Sequence, residues 1–244
     1  MFGLDFMMWT LSEAIEELSE ISRNKECRLV FTPNVDHLVL IDENEDFLKL
    51  YQSADFLLAD GMPIVWFSRL IGRPLPERVT GADLLPGLCE RAPDKGLSVY
   101  LLGGAPDVTP EAKRRLMLRF PELKIVGIDT PPIGFEKDEK IDFQVVKAIN
   151  NASPNILFVA FGAPKQELWA ERHRKDLNVG LILGVGGTFD FVAGAVSRAP
   201  LWIRSAGFEW LWRLACEPRR LWKRYLKDLK FLGIAIREWK NQKR

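Results

Sequence analysis

The sequence predicts an α/β protein: a Rossmann-like, largely parallel sheet with helices on both faces, followed by a helical C-terminal appendage. Three observations predict this. Short apolar runs alternate with amphipathic segments, as in successive βα units. Each apolar run is followed by glycine, proline or polar residues and then by a helical pattern. Near residue 195 the strand pattern ends and a Trp- and Arg-rich helical stretch begins. The division is therefore a sheet domain over residues 1–195 and a basic helical appendage over 196–244.

The elements follow in order. Thr10 and Glu13 form a capping box, after which Ala14, Leu18 and Ile21 recur on one helical face. Strands are predicted at 28–31, 56–58, 98–102, 124–128, 156–161 and 180–185. Pro164 opens a helix that carries Gln166 in its first turn. Pro218 starts another, because proline is tolerated in a first turn and not in a helix interior.

Composition narrows the function classes. With 244 residues, 47% hydrophobic and 27% charged, the chain is long enough to bury a core and is neither disordered nor fibrous. The net charge of +1 conceals an asymmetry. From Arg198 onward there are 13 Lys/Arg against four acids, a local +9 that leaves −8 for the remainder. A split of this kind points to an anionic partner for the basic end, nucleic acid or a membrane surface. Cys27, Cys89 and Cys216 form no CxxC pair, which argues against a disulfide framework or zinc ribbon and for a reducing compartment. The opening residues lack the basic region of a signal peptide, and no stretch approaches the roughly 20 apolar residues of a spanning helix, so membrane contact is expected to be peripheral.

In an open parallel sheet, ligands bind beyond the carboxyl ends of the strands. Five polar or glycine-rich turns follow predicted strands: 32–36, 59–63, 103–106, 161–167 and 184–190. Gly103-Gly104 and Gly186-Gly187 allow close backbone approach to a diphosphate, or simply a tight strand-to-helix turn. Neither fits G-x-G-x-x-G, which lowers a dinucleotide reading. Asp60 can take a proton from a hydroxyl or cap the next helix. Thr32 and Asn34 suit sugar hydroxyls, although turn chemistry explains them too. Gln166 points to the same rim. Asp190 can accept from a uracil N–H or cap a helix. His37 is expected to be structural and His173 to lie on a solvated helix face. No metal-ligand spacing and no Asp-x-Asp is present. In the tail, Arg220, Arg224 and Lys227 form a cationic stripe while Leu221, Tyr225 and Leu232 share another face, which suits either an interfacial helix or one packed on its own domain. Arg213 is placed to clamp a diphosphate.

Taken in order, TPNVDH, ADGMPIVW, GRPLPERVTGADL, LLGGAP, FGAPKQE, GVGGTFD, SRAPLWI and GFEWLWRL resemble the WecG/TagA/CpsF glycosyltransferases from about residue 5 to residue 225. The resemblance implies transfer of a sugar, N-acetylmannosamine or a related hexose, from a UDP-sugar to a polyprenyl-diphosphate-linked acceptor in the synthesis of teichoic acid or another surface polysaccharide. It implies inversion, no cofactor or essential metal, and an appendage that docks on the inner face of the cell membrane and completes the site. By motif position Asp60 matches the general base, and Thr32 joins it as the second catalytic candidate. Asn34, Gly103, Gly104, Gln166, Gly186, Gly187, Asp190, Arg213 and Arg220 are the substrate-binding candidates. Where some relatives have Gly-Tyr-Phe this chain reads Pro132-Ile133-Gly134-Phe135, so Phe135 is not assigned to the base. Nucleic acid is not an expected partner, and a homo-oligomer is left open. The rival readings are a nucleotide-dependent oxidoreductase and a non-enzymatic membrane or nucleic-acid adaptor.

Overall fold

The structure is a computed structural model that describes residues 1–205 and 207–242, except for the side chains of residues 201, 205 and 220. The first half runs α1 (Leu11–Ile21), β1 (Arg28–Phe31), α2 (Val35–Glu43), α3 (Glu45–Gln52), β2 (Phe56–Leu57), α4 (Met62–Leu70), α5 (Gly81–Arg91), β3 (Ser98–Gly103) and α6 (Val108–Arg119). Then follow β4 (Lys124–Asp129), α7 (Glu139–Ala152), β5 (Ile156–Ala160), α8 (Lys165–His173), β6 (Leu181–Gly184) and α9 (Thr188–Ala193). The tail holds α10 (Leu201–Ser205), α11 (Glu209–Cys216), α12 (Pro218–Asp228) and α13 (Lys230–Gln242). All six strands lie where the apolar runs predict them. The capping box on α1 is present with both of its bonds, and Pro218 begins α12.

The strands form one sheet in the order β2-β1-β6-β5-β3-β4, with every neighbouring pair parallel. Period-2 alternation sends Leu29, Phe31, Leu157, Val159 and Ile182 into one core, and Val30, Ile156, Phe158, Leu181 and Leu183 into the other. Helices α2, α3, α7 and α8 seal the first face, while α1, α5, α6 and α9 seal the second. A parallel sheet needs cover on both sides, and here it has it. The β1-to-β2 crossover runs one way over the first face and β3-to-β4 the other way over the second. The two crossovers therefore share one hand, as right-twisted strands require. After β1 the chain turns to the first face and after the adjacent β6 to the second, so a crevice opens between the carboxyl ends of these two strands.

The tail packs on the sheet domain. Leu221, Phe231 and Ile234 are buried, and the last two belong to the same core as Leu38 and Ile41 of α2. The Phe231 ring lies 5.7 Å from that of Phe2. Around this apolar seam, Arg224 Nε sits 3.1 Å from Asp36, Lys227 and Lys230 approach Glu43 at 2.9 and 2.6 Å, and Arg237 pairs with Asp42. Two tail expectations are revised as a result. Arg224 and Lys227 answer acids of α2 instead of standing free for lipid phosphates, while the Arg220 side chain lies outside the described residues. Leu221, Tyr225 and Leu232 do not form one packed face either: Leu221 is buried, Tyr225 half-buried and Leu232 exposed.

His173 is a further correction. Its charged neighbours suggest a solvated face, yet the ring is buried with Nε2 2.9 Å from Asp142 Oδ2. Trp169 Nε1 donates to the other oxygen of the same carboxylate at 2.8 Å. The inward face of α8 is thereby tied to α7, a polar pair being tolerated in a core when its hydrogen bonds are made. Phe135 is also a core residue, 5.1 Å from the Phe161 ring. Among the described residues, no helix is long and apolar enough to cross a membrane.

Because Phe231 joins the tail to the main core, Phe231→Ala is expected to cost the whole molecule about 3 kcal/mol, in the range for buried Phe truncations. Urea unfolding followed by far-UV circular dichroism and by tryptophan fluorescence should give one coincident transition at lower urea. A tail that melts separately while the sheet domain keeps its midpoint would contradict this.

Candidate active site

A cavity of about 1200 Å³ occupies the crevice. It is lined by turns after four of the six strands: Thr32 and Asn34 after β1, Asp60 to Pro63 after β2, Gly162, Ala163 and Gln166 after β5, and Gly184 to Thr188 after β6. Helices α11 to α13 supply a further wall that includes Arg213, Arg224, Tyr225 and Asp228. Small-molecule sites commonly span roughly 300–1,000 Å³, so this volume suits a large ligand or two reactants together.

Asp60 lies where β2 gives way to α4. Its backbone N–H donates to Pro33 O at 3.0 Å, which joins the turns after β1 and β2. α4 is capped by Gly61, at φ +155°, with no side-chain bond, so the carboxylate of Asp60 faces the cavity instead of the helix start. Burial is the largest influence on this carboxyl and pushes its pKa up to about 6; Arg78 and Arg213 draw it down, while Glu209 and Asp83 oppose them.

Thr32 is buried and lines the cavity next to Asn34. Asn34 caps α2: its Oδ1 accepts from the His37 N–H at 3.3 Å, and its own N–H donates to His37 Nδ1 at 3.4 Å. His37, expected to be structural, makes these capping bonds and also lines the cavity. Burial, assisted by Arg224, lowers its pKa to about 3 and keeps the ring neutral.

Gln166 binds the loops together. Its Oε1 accepts from Gly162 N–H at 3.2 Å and Gly186 N–H at 3.0 Å, joining the turns after β5 and β6. Its Nε2 donates to Glu167 Oε1 at 2.9 Å, which fixes the amide's orientation. The Glu167 carboxyl is buried, which raises its pKa, and it also receives the Tyr51 hydroxyl at 3.4 Å.

The remaining candidates divide. Gly186, at φ +52°, has open space on its Cβ side and lines the cavity together with Gly187. Gly103 and Gly104 lie outside the lining; a Cβ would meet Ala160 O at 2.8 Å on the first and Thr109 Oγ1 at 2.4 Å on the second. Their positions carry the tight-turn alternative. Asp190 sits half-buried in the first turn of α9, where no side-chain cap is made, beside the lining residues Gly187 and Phe191. Arg213 lies 5.3 Å over the Phe191 ring, and its buried Nε has no hydrogen-bond partner. Among the described residues, no group of three His, Cys, Asp or Glu is arranged to hold a metal.

One charged cluster escapes motif-by-motif reading. Arg198 grips Asp83 through both terminal nitrogens at 2.7 and 2.9 Å, and Arg78 meets Glu209 at 2.7 Å. Arg198 also reaches Glu209 at 3.2 Å, and Thr80 donates to Asp83 at 2.8 Å. Arg78, Arg198 and Glu209 line the cavity, so this network both fastens the tail to the start of α5 and sets the field around Asp60. The only sequence signal was that these residues fall in GRPLPERVTGADL, SRAPLWI and GFEWLWRL.

An open parallel sheet with a large cleft at its carboxyl rim, glycine turns, a carboxylate held near neutrality and adjacent arginines defines a Rossmann-like α/β enzyme. The chain belongs to the glycosyl transferase WecG/TagA/CpsF family, which it matches over residues 1–244, and it is a glycosyltransferase. It is 32% identical over 236 residues to the N-acetylglucosaminyldiphosphoundecaprenol N-acetyl-beta-D-mannosaminyltransferase of Bacillus spizizenii (strain ATCC 23059 / NRRL B-14472 / W23), covering 96% of this chain and 89% of that one. A protein of the same description from Bacillus subtilis (strain 168) is 32% identical over 215 residues, covering 88% and 81%.

Gln166→Ala removes the acceptor that holds Gly162 and Gly186. Leaving two partly buried N–H groups without partners should cost about 1–3 kcal/mol in chemical denaturation. It should also weaken binding of UDP measured by calorimetry; unchanged stability and unchanged affinity together would show that the two loops stand without this side chain.

Proposed function

We propose that this glycosyltransferase moves N-acetylmannosamine, or a related hexose, from a UDP-sugar to a hydroxyl of a sugar carried on a polyprenyl diphosphate, in cell-surface polymer synthesis at the membrane. The placement of Asp60 in a cavity that Arg213 also lines carries this reading. The names of the two relatives support the acceptor class and the transferred sugar.

The step is a single displacement. The acceptor hydroxyl oxygen attacks the anomeric carbon, the bond from that carbon to the diphosphate oxygen breaks, and UDP departs with the electron pair. Asp60 takes the hydroxyl proton as general base, and one displacement inverts the anomeric centre. Thr32 and Asn34 lie beside the β1 end, where sugar hydroxyls can be held. The glycine turn at Gly186 and Gly187 and the guanidinium of Arg213 would lie against the departing diphosphate, the placement that stabilises charge as it develops. Asp190 would receive the uracil N–H, and Arg220 would join Arg213 at the diphosphate. Gly103 and Gly104 support the site from behind by setting the course of the chain after β3. The exposed Trp202, Trp210 and Trp222, with Arg219 and Lys223, suit contact with an anionic membrane surface.

Asp60→Asn keeps the shape and removes the base; turnover should fall about 10²–10⁴-fold while UDP affinity is held. Full turnover in that variant would overturn the assignment. The base works only when ionised, and its pKa is raised to about 6, so kcat/KM should climb as pH rises through that value and then level off. Asp228, also pushed up to about 6, is the control. Asp228→Asn should leave the acid limb in place, and its disappearance there would transfer the limb to Asp228.

A further inference from the structure

The active-site cavity has an arm that none of the proposed chemistry occupies. It runs between α4 and the last two helices and is lined by Trp66, Leu70, Leu229, Leu232, Ile236 and Trp239. Leu70, Leu232 and Ile236 stand 68, 63 and 55% exposed, although large apolar side chains in such numbers are normally covered. The donor, a nucleotide sugar, is polar along most of its length and does not account for a hydrocarbon-lined arm.

We infer that this arm is the binding site for the first isoprene units of the lipid acceptor, so that the enzyme grips its substrate by hydrocarbon as well as by sugar and diphosphate. The inference rests on the reading that the acceptor is a polyprenyl diphosphate. Three observations favour this occupant over a flat bilayer surface. The apolar residues line the same cavity as Asp60, so a ligand in the arm is continuous with the reacting centre. Arg213 lines that cavity too, and its buried Nε–H has no hydrogen-bond partner. A cation with a donor to spare in a cavity that also has an apolar arm complements a ligand that carries a diphosphate on a hydrocarbon tail. Finally, the wall is built closely: Gly207, at φ +83°, lies so near α4 that a Cβ there would come within 2.6 Å of Met62 and 3.0 Å of Trp66.

Farnesyl diphosphate, held below its micelle concentration, tests the arm on the full chain, with binding read from tryptophan fluorescence and inorganic diphosphate as the head-only control. The native protein should bind farnesyl diphosphate at least about tenfold more tightly than diphosphate, as burial of several methylenes requires. In the double variant Leu232→Gln, Ile236→Gln, which changes exposed positions on one face of α13, that preference should collapse while diphosphate affinity and melting temperature hold. Equal affinities in the native protein, or a preference that survives in the variant, would overturn the inference. So would a variant that loses binding to phosphatidylglycerol vesicles yet keeps its farnesyl preference, since the arm would then be a bilayer contact. Failure of the functional reading looks different: the farnesyl preference and its loss in the variant would stand, and no UDP-sugar would yield a glycosylated prenyl diphosphate.

Discussion

The seam between the last two helices and α2 determines what the site can be. Phe231 and Ile234 enter the core that already holds Leu38 and Ile41, and this places α11 and α12 across the open end of the crevice. Without that wall Asp60 would face bulk water. With it, the carboxyl is desolvated enough to reach a pKa near 6, and Arg213 stands close enough to influence it. Apolar packing far from the reacting atoms thus sets their electrostatics, because burial governs the energy of the charged form.

Charge works differently at the same seam. Asp36, Asp42 and Glu43 on α2 answer Arg224, Arg237, Lys227 and Lys230, so part of the contrast between a −8 body and a +9 tail is spent inside the molecule. Exposed pairs of this kind contribute about 0–1 kcal/mol each and are screened by salt. They set the register of the tail on α2 more than they hold it there, and the buried rings supply the holding. The cluster of Arg78, Asp83, Arg198 and Glu209 is less exposed and its bonds are shared, so it resists salt better and fixes the tail at the edge nearest Asp60.

Much of the fold was legible because its signals are local. A short apolar run bounded by turn residues needs only its own neighbourhood to declare a strand, and Thr10 with Glu13 declares a helix start over four positions. The same holds for the turns: four of the five marked ones meet at the cavity, since parallel strands deliver all their carboxyl ends to one rim. The misses concern what a residue faces across the fold. His173 sits among charges in sequence but opposite Asp142 in space. Gly103 and Gly104 look like a phosphate cradle, yet Phe161, Thr109 and Phe189 fill the space around them. Arg198 and Asp83 are 115 positions apart, and no spacing rule links them.

The pairing of Asp60 with Arg213 has a consequence for the order of events on the proposed reaction. Arg213 lowers the Asp60 pKa in the empty site, against the larger upward push of burial. A donor diphosphate drawn to Arg213 neutralises that cation and excludes water from the same cavity, and both changes raise the basicity of the carboxylate. The base is then strongest when the leaving group is in place and weakest when it is absent. A site that held Asp60 by a direct salt bridge would lose this coupling, since the bridge would have to break before a proton could be taken. With the arginine on the tail, within electrostatic reach but bonded to no carboxylate through its Nε, Asp60 is ionised near neutral pH and, on the proposed reaction, still able to accept a proton.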